Sequence, residues 1–183
     1  MSGRPWEVLD SKVLLEGKYL RVARERVRVG SGAVIDDYHV VTSPSWAAIV
    51  CVTEDEELVL VQQYRHGHKG ASLELPAGIV DPGEDVLAGA VRELREETGY
   101  ESEGVELFWK IRPEPARHEQ WAHFAVATGA RKGGEQQLDE TEDIRIVTRP
   151  LAELDAIVGE MVHGVHVAAL LLAERKGLLR VQR

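Results

Sequence analysis

Glu93, Glu96 and Glu97 stand at i, i+3 and i+4 in the stretch Arg92-Glu93-Leu94-Arg95-Glu96-Glu97. On a helix turning about 100° per residue, that spacing gathers three carboxylates on one face. Like charges so placed repel by roughly 0.2–0.5 kcal/mol per pair at a surface, and by more where water is partly excluded. A cation among them would answer the repulsion. Carboxylate oxygens are hard donors and no His or Cys cluster accompanies them, so the expected ion is Mg2+ or Mn2+. A solvated acidic face with Arg92 paired to Glu96 at i, i+4 also explains many such doublets, and the surrounding residues must decide.

Those residues form a loop and a helix. Gly78, Pro82 and Gly83 permit a tight loop, Glu84 and Asp85 suit a helix N-terminus, and Gly99 suits the position just past the end. The spacing predicts a helix from about Asp85 to Thr98, with Leu87, Val91, Leu94 and Thr98 on the packed arc and Ala90 at its margin. Gly78, five residues, Glu84, seven residues, then Arg92-Glu93-Leu94-x-Glu96-Glu97-x-Gly99 resembles the signature of Nudix hydrolases at each fixed position. Tyr100 is the one departure, since an aliphatic residue is more usual there.

The similarity extends to one branch of that family, the ADP-ribose pyrophosphatases. Its N-terminal three-stranded region is matched by Trp6 to Val41, its Gln-Tyr-Arg triplet by Gln63-Tyr64-Arg65, and its box entrance by Glu74 to Gly78. The loop proline is matched by Pro115, and the acidic loop before the last strand by Asp139 to Ile144. The resemblance implies an α+β fold: a Nudix α/β/α sandwich with a mixed sheet over residues 44–183, preceded by a small antiparallel sheet over residues 1–43 that exchanges with a partner in a homodimer. It implies Mg2+, with Mn2+ as an alternative, as a pair or trio of ions per site. Glu93 and Glu97 would be the main ligands, joined by Glu96, the Ala77 carbonyl and Glu142. Glu140 would take the proton from the attacking water, with Glu96 also catalytic, and Arg65, Ile79 and Trp46 would meet the substrate. The family loop often reads Ser-Pro-Gly where this chain has Pro113-Glu114-Pro115, which leaves the terminal sugar open.

Two further residues have readings of their own. Arg92 is expected to orient the helix carboxylates, and Glu84 to brace the loop or bind a metal peripherally. The expected activity is hydrolysis of ADP-ribose or a related nucleoside diphosphate sugar to a nucleoside monophosphate and a sugar phosphate. The competing readings are a non-catalytic module that senses ADP-ribose and a Nudix hydrolase acting on GDP-mannose or capped RNA.

Composition narrows these. A chain of 183 residues with 44% apolar and 29% charged residues fits one domain with a small appended element. The net charge of −9 argues against a nucleic-acid partner, because phosphate contacts need clustered Lys and Arg. Cys51 lies in an apolar run and reads as a buried thiol. No basic leader and no run of about 18 apolar residues is seen, so a cytoplasmic protein without a membrane partner is expected.

Along the rest of the chain, Ala47 to Val52 and Leu58 to Val61 read as a hairpin buried on both faces, with Gln62 to Arg65 leaving the sheet. His66 and His68 stand in a loop and read as solvated or substrate-facing. Val105 to Ile111, Trp121 to Ala127 and Ile144 to Val147 read as strands, with a hydrophilic loop from Gly129 to Thr141. Pro150 is expected to open a helix, and a second should run from Gly164 or Val165 to Lys176.

Overall fold

In the computed structural model, which describes residues 5–181, the apolar run Ala47 to Val52 is the middle of β4 (Trp46–Thr53). Successive side chains of a strand point to opposite faces, and here both faces are covered. Ala47, Ile49 and Cys51 cluster with Ala90 and Leu94 of α1 (Val86–Thr98). Ala48, Val50 and Val52 cluster with Leu154 and Ile157 of α2 (Leu154–Glu160) and with Ala169, Leu170 and Ala173 of α3 (Gly164–Arg175). A strand covered on both sides must read as an unbroken apolar stretch. This is the α/β/α sandwich that the sequence implies.

The sheet around β4 is mixed. Its order is β11 (Ile144–Pro150), β5 (Glu57–Arg65), β4, β10 (Ala122–Lys132) and β8 (Tyr100–Glu101). β6 (Gly70–Glu74) adds to β5, β7 (Ala77–Ile79) to β4, and β9 (Gly104–Ile111) to β10. β10 runs parallel to β4, while every other pairing in this sheet is antiparallel. Trp46–Ile111 and the residues from Ala122 onward make up this unit.

The second unit holds the described residues up to Ser45 together with Arg112–Trp121. Within it β1 (Glu7–Glu16), β2 (Arg21–Arg28) and β3 (Val34–Thr42) form an antiparallel sheet. The register of β2 and β3 slips between Glu25 and Val27, where the apolar alternation changes phase in the sequence. The proline loop belongs to this sheet. Val41 N–H donates to the Arg117 carbonyl at 2.8 Å, Glu119 N–H donates to the Val41 carbonyl at 3.0 Å, and the Tyr38 hydroxyl donates to the Ala116 carbonyl.

Four local expectations change. Gln62 to Arg65 stay in the sheet, because β6 folds back on them in register from Gln62↔Leu73 to Arg65↔Gly70. The strand from Ala122 continues past Gly129 to Lys132, because β8 pairs with Arg131 and Lys132 beyond a bulge at residues 127–130. Pro150 both ends β11 and caps a 3-10 turn at Leu151–Glu153, so the α-helix itself, α2, begins only at Leu154. Val91 is exposed while Gly89 and Ala90 are buried, so the packed face of α1 is rotated toward its small residues.

Gly99 closes α1 with φ 67°, and its carbonyl accepts from Gly133 N at 2.8 Å and Gly134 N at 3.1 Å. A Cβ there would stand 2.2 Å from the Gly134 carbonyl oxygen. Gly99→Ala therefore combines a left-handed backbone with a backbone clash and should cost about 2–3 kcal/mol. Urea denaturation would show the midpoint falling; an unchanged midpoint would contradict this packing.

Candidate active site

The acidic face of α1 is fixed at both ends of the helix. Asp85 caps the start, its Oδ1 accepting from Leu87 N and Ala88 N at 3.0 Å each, and Gly99 closes the end. β7 then crosses close to this face. A Cβ on Gly78 would lie 2.1 Å from the Glu93 carboxyl carbon, so only glycine lets the backbone approach.

Arg92 ties the acids together. Its Nε donates to Glu84 Oε1 at 2.9 Å, its Nη1 to Glu93 at 2.8 Å and to Glu96 at 2.9 Å, and its Nη2 to the Ile79 carbonyl at 3.0 Å and Glu84 Oε2 at 3.1 Å. Pairing with Glu84 above all raises the guanidinium pKa further, so the charge is permanent. Glu84 also accepts from Asp81 N at 2.9 Å, which ties the loop to the helix. The orienting role expected for Arg92 and the bracing role expected for Glu84 are both what the hydrogen bonds describe.

Glu97 is the deeply placed acid. It is 3% exposed, and its Oε2 accepts from Ala77 N–H at 2.8 Å. Burial pushes its pKa up to about 8; Glu93 and Glu142 push the same way, while the Ala77 N–H and Arg65 pull back. Burial likewise raises Glu93, against the pull of Arg92 and with Glu96 and Glu142 adding to the rise. Glu142 is thus the acid of the 139–143 loop that acts on the helix carboxylates. Its Oε2 accepts from Asp139 N at 2.9 Å, and Glu140 is exposed on the same turn.

Among the described residues no three His, Cys, Asp or Glu side chains are already arranged as a ligand set, since Glu93 and Glu96 turn to Arg92 and Glu97 to the Ala77 N–H. The chemistry of the donors nonetheless fits a hard divalent ion: all are oxygens, they are crowded, and two have raised pKa values. Glu93, Glu96, Glu97, Glu142 and the loop at Ala77 are the residues available to it.

A cleft of about 530 Å³ lies in the same unit, with Trp46, Arg65, Glu74, Ile79, His163 and His166 among the residues that line it. Arg65 donates to Glu74 through Nε at 2.8 Å and Nη2 at 2.6 Å, a two-point pair with Glu74 only 1% exposed. Burial alone would raise the Glu74 pKa, but Arg65 outweighs it and holds the carboxyl ionised. The structure therefore brings the three expected substrate residues, Arg65, Ile79 and Trp46, to one wall system. Trp46 is not a free platform: it meets Phe124 at 5.5 Å, His166 at 5.3 Å and His163 at 5.6 Å.

The sequence reading passed over Glu74 as a partner of Arg65 and over His163 and His166 altogether. Only the i, i+3 spacing of the histidines, in an otherwise apolar stretch, could have marked them. Of the loop histidines, His66 Nε2 lies 2.6 Å from Lys69 Nζ, and His68 reaches the cleft. Cys51 is fully buried with its pKa pushed up to about 12 by burial, which removes it as a nucleophile.

The fold and the acidic helix are those of a known hydrolase family. The NUDIX domain family matches residues 43–170, and the nucleoside diphosphate sugar hydrolase N-terminal domain matches residues 6–41. The chain belongs to the Nudix family and is a Nudix hydrolase. It is 30% identical over 175 residues to the ADP-ribose pyrophosphatase of Mycobacterium tuberculosis, covering 93% of this chain and 84% of that one. It is 29% identical over 148 residues to the methanol dehydrogenase activator of Bacillus methanolicus, covering 80% of each. A solved ADP compounds hydrolase shares the fold with a TM-score of 0.86 at 24% identity, over 99% of this chain and 100% of that one. Among the described residues no helix is long and apolar enough to cross a membrane.

Because the folded pKa of Glu97 lies above its unfolded value, the folded state holds a proton that the unfolded state releases. The associated stability is present below the ordinary carboxylate range and is lost as pH rises through about 8. In metal-free buffer the wild-type melting temperature should fall relative to that of Glu97→Gln between pH 5 and about 8.5. Parallel curves for the two proteins would contradict the burial assigned to Glu97.

Proposed function

We propose that this hydrolase uses Mg2+ to split the diphosphate of ADP-ribose, or of a related nucleoside diphosphate sugar, into AMP or another nucleoside monophosphate and a sugar phosphate. The observation that carries the reading is the crowding of Glu93, Glu96, Glu97 and Glu142 in the same unit as a cleft with Arg65 on its wall. The match of residues 6–41 to the N-terminal domain of nucleoside diphosphate sugar hydrolases, and the printed activity of the mycobacterial relative, support the substrate class.

In this reaction the oxygen of water bonds to one phosphorus, the bridging P–O bond breaks, and each half leaves as a phosphate monoester. Divalent ions bound at the acidic face would neutralise the diphosphate oxygens and acidify the attacking water. Arg65 spends Nε and Nη2 on Glu74 and keeps Nη1 to hold a phosphate oxygen. Burial of Glu74 fixes that guanidinium in one orientation. The proton of the attacking water goes to a carboxylate of the 139–143 loop. Glu140 is the expected base; the charge of Glu142 reaches Glu93 and Glu97, which makes Glu142 the second candidate, and the two are separable by mutation. The three-stranded unit exposes Val8, Val13, Leu14, Leu15 and Leu20, a set of apolar side chains suited to burial against a second copy as a homodimer.

Wild-type protein with Mg2+ should convert ADP-ribose to AMP and ribose 5-phosphate, and Glu97→Gln should abolish turnover while remaining folded. Of Glu142→Gln and Glu140→Gln, the one that lowers kcat by about a hundredfold or more with little change in KM is the base. Turnover of Glu97→Gln at the wild-type rate would refute the metal assignment. Binding of ADP-ribose without product at any metal concentration would instead make the protein a sensing module.

A further inference from the structure

Among the described residues two buried side-chain polar atoms have no hydrogen-bond partner, Ser72 Oγ and His163 Nδ1, and both residues line the one cleft beside Arg65. About nine in ten buried polar atoms in folded proteins are paired, because an unpaired one forfeits the water it gave up. Two exceptions in residues that line one cavity point to a ligand that completes them.

The His163 ring is not free to swing toward another partner. It stacks on His166 at 3.9 Å with the planes 24° apart and meets the edge of Trp46 at 5.6 Å. His166 is itself anchored, its Nδ1 accepting from Leu75 N–H at 3.2 Å, and burial keeps it neutral with a pKa near 3. Burial also lowers His163, so its ring is neutral, with one nitrogen that donates and one that accepts. The Ser72 hydroxyl lies beside Glu74 and helps to keep that carboxyl ionised, but makes no hydrogen bond of good geometry.

A hydroxyl group satisfies such a site whichever ring nitrogen holds the proton, since it both donates and accepts. A phosphate oxygen can only accept, so it could meet the ring only through a nitrogen that carries the proton. Trp46 and Ile79, on the same wall, add apolar surface suited to the carbon face of a sugar ring.

We propose that His163, assisted by Ser72, hydrogen-bonds a ribosyl hydroxyl of the diphosphate substrate and is the residue by which this cleft rejects deoxy analogues. The inference rests on the reading of the protein as a nucleoside diphosphate sugar hydrolase. A site that pairs its buried polar atoms with a substrate hydroxyl discriminates against the analogue lacking it, because the analogue leaves those atoms unpaired. The hydroxyl can come from the sugar half or the nucleoside half, and half-substrates separate the two.

The test is calorimetric binding to the full chain, read without turnover. Ribose 5-phosphate is compared with its 2-deoxy and 3-deoxy forms, and AMP with 2′-deoxy- and 3′-deoxy-AMP, for wild type, His163→Ala, His163→Asn and Ser72→Ala. One of the two series should show at least about tenfold weaker binding of a deoxy form to wild type. That ratio should approach one in His163→Ala, recover in part in His163→Asn, which restores a donor and an acceptor, and shrink in Ser72→Ala. The series that responds names the half of the substrate in the cleft. Equal binding of hydroxylated and deoxy forms by wild type, or a ratio kept by His163→Ala in both series, would overturn the proposal. Wild type that discriminates through His163 but hydrolyses no nucleoside diphosphate sugar would support this site and refute the proposed reaction.

Discussion

Five glutamates, Glu84, Glu93, Glu96, Glu97 and Glu142, are drawn together around α1 with one tightly bonded cation among them, Arg92. Desolvating a carboxylate costs several kcal/mol after relaxation, and neighbouring carboxylates add repulsion to that cost. The fold holds this arrangement by three means: the Asp85 and Gly99 caps that fix the helix, the five donors of Arg92, and the bare backbone of Gly78 lying on Glu93. One guanidinium leaves the group short of positive charge. The raised pKa values of Glu93 and Glu97 are the expression of that shortfall, and a divalent cation is the charge that would meet it.

The scaffold that makes this possible is the two-faced sheet. β4 carries alternate side chains into two separate apolar clusters, so α1 is packed on one side and α2 and α3 on the other. β7 hydrogen-bonds to β4, and α1 begins a few residues after β7 ends, which brings the Ala77 N–H to Glu97. α3, from the other layer, and the residue that precedes it supply His166 and His163 beside Trp46 at the start of the same strand. The Trp46 side chain packs with the α2 and α3 cluster at the wall of the cleft, while its backbone pairs with Ile79 of β7.

Much of this was legible in the residues because local rules are read locally. The capped helix was placed to within a residue, and the roles of Arg92 and Glu84 followed from their spacing. The misreadings came from long-range pairing. Gln62 to Arg65 are polar enough to leave a sheet, and β6 folding back on them, with β11 beside Gln62 and Gln63, keeps them in it. Gly129 reads as a loop, and pairing of Ala130 with β4 and of Arg131 and Lys132 with β8 extends the strand beyond it. Val91 has the right spacing for the core, yet small Gly89 and Ala90 let the helix turn that face inward instead. The cleft was invisible for a similar reason: Arg65 and Glu74 are nine residues apart, and Leu75 and His166 are 91 apart. No short window contains both members of the second pair.

The acid face can be interrogated directly by titrating Mg2+ into the metal-free protein at pH 7 in two buffers of different ionisation enthalpy. With the Glu97 pKa near 8 in the metal-free state, cation binding should be accompanied by release of about one proton, and Glu97→Gln should lose that release. Heat of cation binding that is absent, or identical in both buffers for wild type, would contradict the account of a buried carboxylate waiting for a divalent ion.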